Sequence, residues 1–246
     1  MTFYDQSHGD EAKKVPGSDW IEWESLAPPD RDPSMWVTEE LQIGERTLKL
    51  ARPREPDRLL DDHGVACASR TDDYMPYWAY VWPAALPLAE IVMREHWRRG
   101  TRVLEIGCGL GLAGLAALAR GHDVTFSDYS PAALAMASHN ARLNEFTRYS
   151  ARLLDWREPA SERFDVILGA DVLYEQRCLE QVLDVVDEML VRGGFALITD
   201  PDRTVAGPFA DLARARGLDD VVSDTALVSV EGRVRAGKLH RLTHRE

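Results

Sequence analysis

Long apolar runs are missing from this sequence: no stretch approaches the ~18 residues of a membrane-crossing helix. The first thirty residues are acidic and dotted with proline, unlike a secretory leader. These absences predict a soluble, cytoplasmic protein that engages no membrane. Cysteine is scarce. Cys67, Cys108 and Cys178 are odd in number and far apart, which fits reduced thiols and excludes a disulfide framework. With no Cys-x-x-Cys pair, no structural metal is expected. Positive charge is in deficit, with 29 Lys and Arg against 41 Asp and Glu, a net charge of −12. That balance argues against holding a nucleic-acid backbone, whose phosphates dominate such affinities. Basic partners suit it better, although net acidity also serves solubility alone. Repeats and low-complexity tracts are absent, and the oligomeric state is not legible.

What is present is organised around Val103-Leu104-Glu105-Ile106-Gly107-Cys108-Gly109-Leu110-Gly111, an apolar run that meets an acid and opens into alternating glycines. It reads as a buried strand turning into a helix. Glycine at 107, 109 and 111 allows a tight turn and a close approach of backbone to ligand. The first amides of the following helix then face that ligand, as in sites for dinucleotides and for S-adenosylmethionine.

Upstream, residues 1–35 mix prolines, glycines and charges with Trp20 and Trp23, and read as an arm that docks on the rest. Residues 36–50 alternate around Gly44 as a β-hairpin, and 52–73 return to loop. A division at residue 73 is therefore expected, with arm and hairpin in 1–73 and the main domain in 74–246. Tyr74, Tyr77, Trp78, Tyr80 and Trp82 pack five aromatics into ten residues. They are either core filling or a wall along a substrate channel, to which Trp78 and Tyr80 are the candidates. A helix over 84–97 follows. Beyond residue 100 the rhythm is that of βαβ units. Strands are expected at 102–106, 123–127, 149–154, 165–170 and 195–199, and helices at 112–120, 131–144, 177–191 and 205–216. Ser130 and Pro131 form an N-cap and first-turn pair. Segments 221–230 and 238–243 close the chain as an antiparallel hairpin.

Each of the five strands ends on or beside an acid: Glu105, Asp128, Asp155, Asp171 and Asp200. In an open parallel sheet these ends share the edge where ligands bind. Such a negative rim repels a pyrophosphate and suits a cofactor carrying a sulfonium and an ammonium. Asp128 lies about twenty residues beyond Gly107, the spacing of the acid that takes ribose hydroxyls. The residues Gly109-Leu110-Gly111-Leu112-Ala113-Gly114 also satisfy G-x-G-x-x-G. The register of a dinucleotide site is nevertheless wrong, because Gly107 occupies the strand-closing place and Glu105 has no task for a pyrophosphate.

Together with Asn140-Ala141-Arg142-Leu143-Asn144, Phe164-Asp165-Val166-Ile167-Leu168-Gly169-Ala170-Asp171 and Gly193-Gly194-Phe195-Ala196-Leu197-Ile198, these residues resemble a class I, seven-strand S-adenosylmethionine-dependent methyltransferase. Val81-Trp82-Pro83-Ala84-Ala85, Asp155-Trp156 and the D-x-x-Y run Asp171-Val172-Leu173-Tyr174 narrow the resemblance to small protein-lysine methyltransferases. It spans about residues 74–200. It implies a Rossmann-like, doubly wound α/β sheet of order 3-2-1-4-5-7-6 with the seventh strand antiparallel. It also implies S-adenosyl-L-methionine as cofactor, and transfer to a protein lysine. Gly107, Cys108, Gly109 and Gly111 would pass close to that cofactor, Glu105 would hold its amino end, and Asp128 beside Tyr129 would take its ribose. Asp155 and Trp156 would flank the adenine, Ala170 would line the pocket and Trp82 would close it. Asp171 and Tyr174 would face the methyl group as the catalytic pair, with Asp200, Trp78 and Tyr80 toward the substrate. Asp171 as a helix cap and Tyr174 as packing remain the plain alternatives. Transfer to a small molecule, a non-catalytic cofactor-binding protein and a nicotinamide oxidoreductase are the competing functions.

Overall fold

The computed structural model describes residues 33–61, 75–228 and 232–245. Trp20, Trp23, Tyr74, Cys67 and most of the loop expected over 52–73 lie outside the described residues. The chain enters through an antiparallel hairpin, β1 Trp36–Ile43 and β2 Arg46–Pro53, turning at Gly44 and Glu45. Helix α1, Ala85–Arg94, leads into the alternating part of the molecule. There follow β3 Arg102–Ile106, α2 Leu112–Ala119, β4 Asp123–Asp128, α3 Pro131–Leu143, β5 Tyr149–Leu153 and β6 Phe164–Ala170. The remaining elements are α4 Gln176–Met189, β7 Leu190–Asp200, α5 Phe209–Ala215, β8 Leu218–Val228 and β9 Val234–His244.

Seven of these strands form one sheet in the order β5-β4-β3-β6-β7-β9-β8. Counted along the sheet's own strands this is 3-2-1-4-5-7-6, and β9 runs antiparallel to both neighbours, as expected. The strands carry apolar residues on both faces because both are covered. Along β3, β6 and β7 the side chains alternate between two cores. Val103, Val166, Leu168 and Leu197 pack with α1, α2, α3 and the hairpin. Leu104, Ile106, Ile167, Ala196 and Ile198 pack with α4 and α5.

Several boundaries differ from the sequence reading. Helix α1 stops at Arg94, short of 97, with Glu95 in extended conformation. The segment expected as one helix over 205–216 is a 3-10 turn, Thr204–Ala206, then α5, because Pro208 has no N–H to continue the helix and starts α5 anew. Strand β7 begins at Leu190, well before Phe195, since the paired glycines carry the strand through a register shift opposite Phe164 and Val166. Ser130 caps α3 in extended conformation, but its side chain makes no capping bond. His240 and His244, four apart as on a metal-binding helix, lie on β9 and pair separately with Asp220 and Asp187. Among the described residues no group of three His, Cys, Asp or Glu is placed to hold a metal. Nor is any described helix long and apolar enough to cross a membrane.

The hairpin docks through two asparagines one helical turn apart, Asn140 on α3 and Asn144 at its C-cap. The Asn140 amide accepts from Ala51 N at 2.7 Å and donates to Ala51 O at 3.1 Å. Asn144 repeats the pattern on Lys49, at 2.8 and 2.7 Å. A primary amide presents a donor and an acceptor side by side, as a strand edge does, so α3 completes the edge of β2. Asn140 also donates to Leu110 O in the glycine loop at 3.0 Å.

Candidate active site

The glycine loop sits where β3 ends at the middle of the sheet. Gly107, Gly109 and Gly111 all have left-handed backbone, with φ of +55°, +50° and +82°. A β-carbon at Gly107 would lie 3.0 Å from the Trp156 ring and 3.2 Å from Val172. One at Gly109 would lie 3.3 Å from the carbonyl oxygen of Trp78. Three separate segments therefore converge on this loop: the aromatic stretch, the turn after β5 and the turn carrying Asp171. Cys108 is buried, its N–H bonded to Ser127 O at 2.9 Å, and burial holds its thiol pKa high. It packs as a small neutral residue.

Helix α2 has no capping side chain of its own, since Gly111 stands at its N-cap. Glu105 supplies the cap from the strand, accepting from Ala113 N at 3.2 Å and Gly114 N at 3.0 Å with one oxygen each. Burial lifts its pKa to about 8 against the pull of those two amides. Both oxygens thus clamp the loop to its helix, and each keeps a lone pair.

Asp128, at the end of β4, accepts from Gly109 N at 3.0 Å and from Ser130 N at 2.9 Å. Tyr129 N is a third donor, and burial still raises the carboxyl pKa to about 6. A carboxylate has about four lone-pair sites, so capacity remains for a hydroxyl. Asp155 is paired with Arg157 at 2.5 Å. Burial works upward on its pKa, but the Arg157 bonds and charge outweigh it, and the net shift is downward.

Asp171 takes a left-handed backbone, φ +57°, uncommon for a residue with a side chain. Its N–H donates to Thr199 O at 2.8 Å, and its buried carboxylate accepts two bonds from Arg203, at 3.0 and 2.8 Å, through Oδ1 alone. Burial raises the Asp171 pKa and Arg203 opposes it. Asp200 is buried as well and accepts from Arg203 N at 2.9 Å. Ala170, the last residue of β6, is half-buried. The open negative rim expected from five strand-end acids is thus corrected: Arg157 and Arg203 are interleaved among them, and Glu105 faces a helix.

The aromatic stretch divides. Trp78 is turned into the core, so of the two expected substrate contacts only Tyr80 keeps a partly open ring. Tyr174, Tyr77, Trp82 and Tyr80 form a continuous strip, with successive ring centroids 6.0, 5.8 and 5.6 Å apart. Trp82 Nε1 donates to Tyr77 O at 2.8 Å, and the Tyr80 hydroxyl donates to Asp57. Tyr77 and Tyr174 are the exposed members, 43% and 39%. The Asp-x-x-Tyr pair is thereby joined to the N-terminal aromatics. Arg203 escaped the sequence reading. Its signal was the Asp200-Pro201 start of a turn, which predicts an Asp carboxylate bonding a following main-chain N–H.

A family model described as lysine methyltransferase matches residues 76–206, from the aromatic stretch to just past Arg203. The chain belongs to that lysine methyltransferase family. The histone-arginine methyltransferase METTL23 of Xenopus laevis is 32% identical over 165 residues, 62% of this chain and 67% of that one. Alignments to the rat and mouse proteins of the same name cover only 54% and 48% of their lengths. The EEF1A lysine methyltransferase 3 of Mus musculus is 35% identical over 102 residues, 39% of this chain and 44% of that one. In fold, this methyltransferase is similar to a TehB-like S-adenosylmethionine-dependent methyltransferase from Corynebacterium glutamicum, with TM-score 0.51 and 21% identity over 73% of this chain and 97% of that one. S-adenosylmethionine is the cofactor of such enzymes, and the residues fit it. The loop backbone bends where no β-carbon is tolerated, and Asp128 keeps a lone pair for a hydroxyl. Phosphate-seeking cations are absent from the loop itself.

Proposed function

We propose that this methyltransferase transfers a methyl group from S-adenosylmethionine to a lysine side chain of a protein, in the cytoplasm. The observation that carries the proposal is Asp171, a buried carboxylate in a left-handed turn beside the glycine loop, next to the exposed rings of Tyr174 and Tyr77. The donor supplies a methyl on a sulfonium, an electrophile with a good leaving group. What remains for the chain is to bind, orient and desolvate. Gly107, Cys108, Gly109 and Gly111 would offer the donor main-chain groups, Asp128 beside Tyr129 its ribose contact, and Asp155 and Trp156 the adenine flank. Ala170 would line the pocket and Trp82 would close it. Asp171 would accept an N–H of the amine and turn its lone pair to the methyl. Burial raises the pKa of the Tyr174 hydroxyl, and its bond to the Cys178 thiol raises it further, so it stays protonated. The domain that does this is taken as 74–246, with 1–73 packed against it.

An amine attacks only when neutral, whereas a carboxylate favours its charged form. Turnover therefore rises from neutral to mildly alkaline pH, and a flat profile counts against an amine acceptor. The deciding experiment supplies labelled donor to the full-length enzyme with proteins from an extract of cells that lack it. Acid hydrolysis of the labelled protein should give methyl-lysine. Label in methyl-arginine, the acceptor named for METTL23, or label only in small molecules, would refute the lysine assignment.

A further inference from the structure

Asp171 follows the last residue of β6 and Asp200 ends β7, and their strands are neighbours, with Ala170 beside Thr199. Arg203 joins the two acids. Its main-chain N–H lies on Asp200 Oδ1 at 2.9 Å, and its Nε and Nη2 lie on Asp171 Oδ1 at 3.0 and 2.8 Å. A paired guanidinium and carboxylate ordinarily share both oxygens. Here both bonds fall on one. Oδ2 of Asp171 and Oδ2 of Asp200 are buried and have no hydrogen-bond partner among the described residues.

An unfilled buried acceptor costs about 1–3 kcal/mol, and more when charged. Two of them on adjacent strand ends, each fixed through its other oxygen by the same arginine, make little sense for stability alone. They make sense if the missing donors come from outside. Arg203 itself reaches the surface, with its side chain 35% exposed against 2% for Asp171. Two carboxylates and one guanidinium leave a single negative charge. A primary amine brings two N–H groups, enough for both free oxygens, and keeps its lone pair for the methyl. A hydroxyl brings one, and an attacking imidazole nitrogen none.

We propose that Asp200 is a second group touching the acceptor, its Oδ2 receiving one N–H of the amine while Asp171 Oδ2 receives the other, and that Arg203 is the positioning residue presenting both oxygens. This rests on the amine-acceptor proposal above and adds to it the device that selects a primary amine.

The test measures the initial rate of label entry into extract proteins, together with S-adenosylhomocysteine affinity by calorimetry. Arg203→Ala should slow labelling about 10- to 100-fold and leave that affinity within about twofold. Arg203→Lys, which keeps a cation beside Asp171, should be intermediate. Millimolar methylguanidinium should restore part of the Arg203→Ala rate and leave the native rate unchanged. Asp200→Asn, which puts an amide donor where an acceptor is needed, should slow labelling with affinity retained. An unchanged rate in Arg203→Ala overturns the proposal. So does a faster rate that methylguanidinium suppresses, since Arg203 would then be a stand-in that the acceptor expels. Loss of S-adenosylhomocysteine binding together with rate, without rescue, makes Arg203 merely structural and overturns it too. The amino acid found after hydrolysis of the native product is a separate readout. Methyl-lysine with insensitive variants sinks this inference alone, and methylhistidine sinks the acceptor assignment beneath it.

Discussion

Replacing Gly114 by Ala should destabilise this protein, against what helix propensity alone predicts. Gly114 lies in the third position of α2, and Ala there is ordinarily worth about 1 kcal/mol over Gly. Here the added β-carbon would lie 2.5 Å from Phe126 Cε1, 2.6 Å from Glu105 Oε2 and 3.0 Å from Val124 Cγ1. None of the three can easily withdraw. Phe126 and Val124 belong to the central sheet and are fully or almost fully buried, and Glu105 is fixed by the helix amides it caps. Overpacking costs about 1–3 kcal/mol, and leaving the buried Gly114 N–H without its Glu105 partner about 1–3 kcal/mol. Set against the propensity gain, the net loss is about 2–4 kcal/mol. For a chain of this size that lowers Tm by roughly 5–15 °C. The control is Gly193→Ala, where nothing lies within 4 Å but φ is +81°. Only backbone strain acts there, about 1–2 kcal/mol. Differential scanning calorimetry decides between them. A Tm for Gly114→Ala equal to or above that of the native protein would refute the packing account of the last glycine.

Asp128→Ala should abolish the thermal shift given by S-adenosylhomocysteine, whereas Asp171→Ala should keep it and lose turnover; the reverse pattern dismantles the division of roles. Glu105 and Asp128 both have raised pKa values, about 8 and about 6, so the folded chain holds protons that the unfolded chain has released. Their contribution to stability is complete below about 4, the unfolded range, and is lost as pH rises to about 8. Urea midpoints should accordingly drop between pH 5 and 8.5, and the drop should shrink in Glu105→Gln. Asn140→Ala removes three buried hydrogen bonds, a loss of roughly 2–4 kcal/mol. Limited proteolysis should then cut within or beside the hairpin far sooner than in the native protein.

The middle of the chain was legible because its signals are local and repeat. Strands with apolar residues on both faces, helices between them and an acid at each strand end recur in register, and the sheet order followed from the family resemblance those residues carry. What escaped depends on partners distant in sequence. That Glu105 also caps α2 was not legible, because nothing in its neighbourhood shows that α2 lacks a cap of its own. The acids looked like an open rim because Arg157 and Arg203 meet them only after folding. Trp78 could not be told from Tyr80 by composition, since which of two aromatics points inward is set by what packs over them. Strand β7 begins before the expected 195 because its paired glycines accommodate a register shift that depends on the neighbouring strand.

Asn140 holds Ala51 of the hairpin and Leu110 of the glycine loop with the same amide group. Two pieces of structure more than fifty residues apart thus share one set of hydrogen bonds, and neither can reorganise without loosening the other. Coupling of this kind is reciprocal. A donor that rigidifies the loop must fasten the hairpin by the same free energy with which a docked hairpin tightens the donor. A hairpin that at first looks like decoration on a complete α/β sheet thus shares its anchor with the glycine loop, and donor binding should slow hydrogen exchange at the hairpin amides.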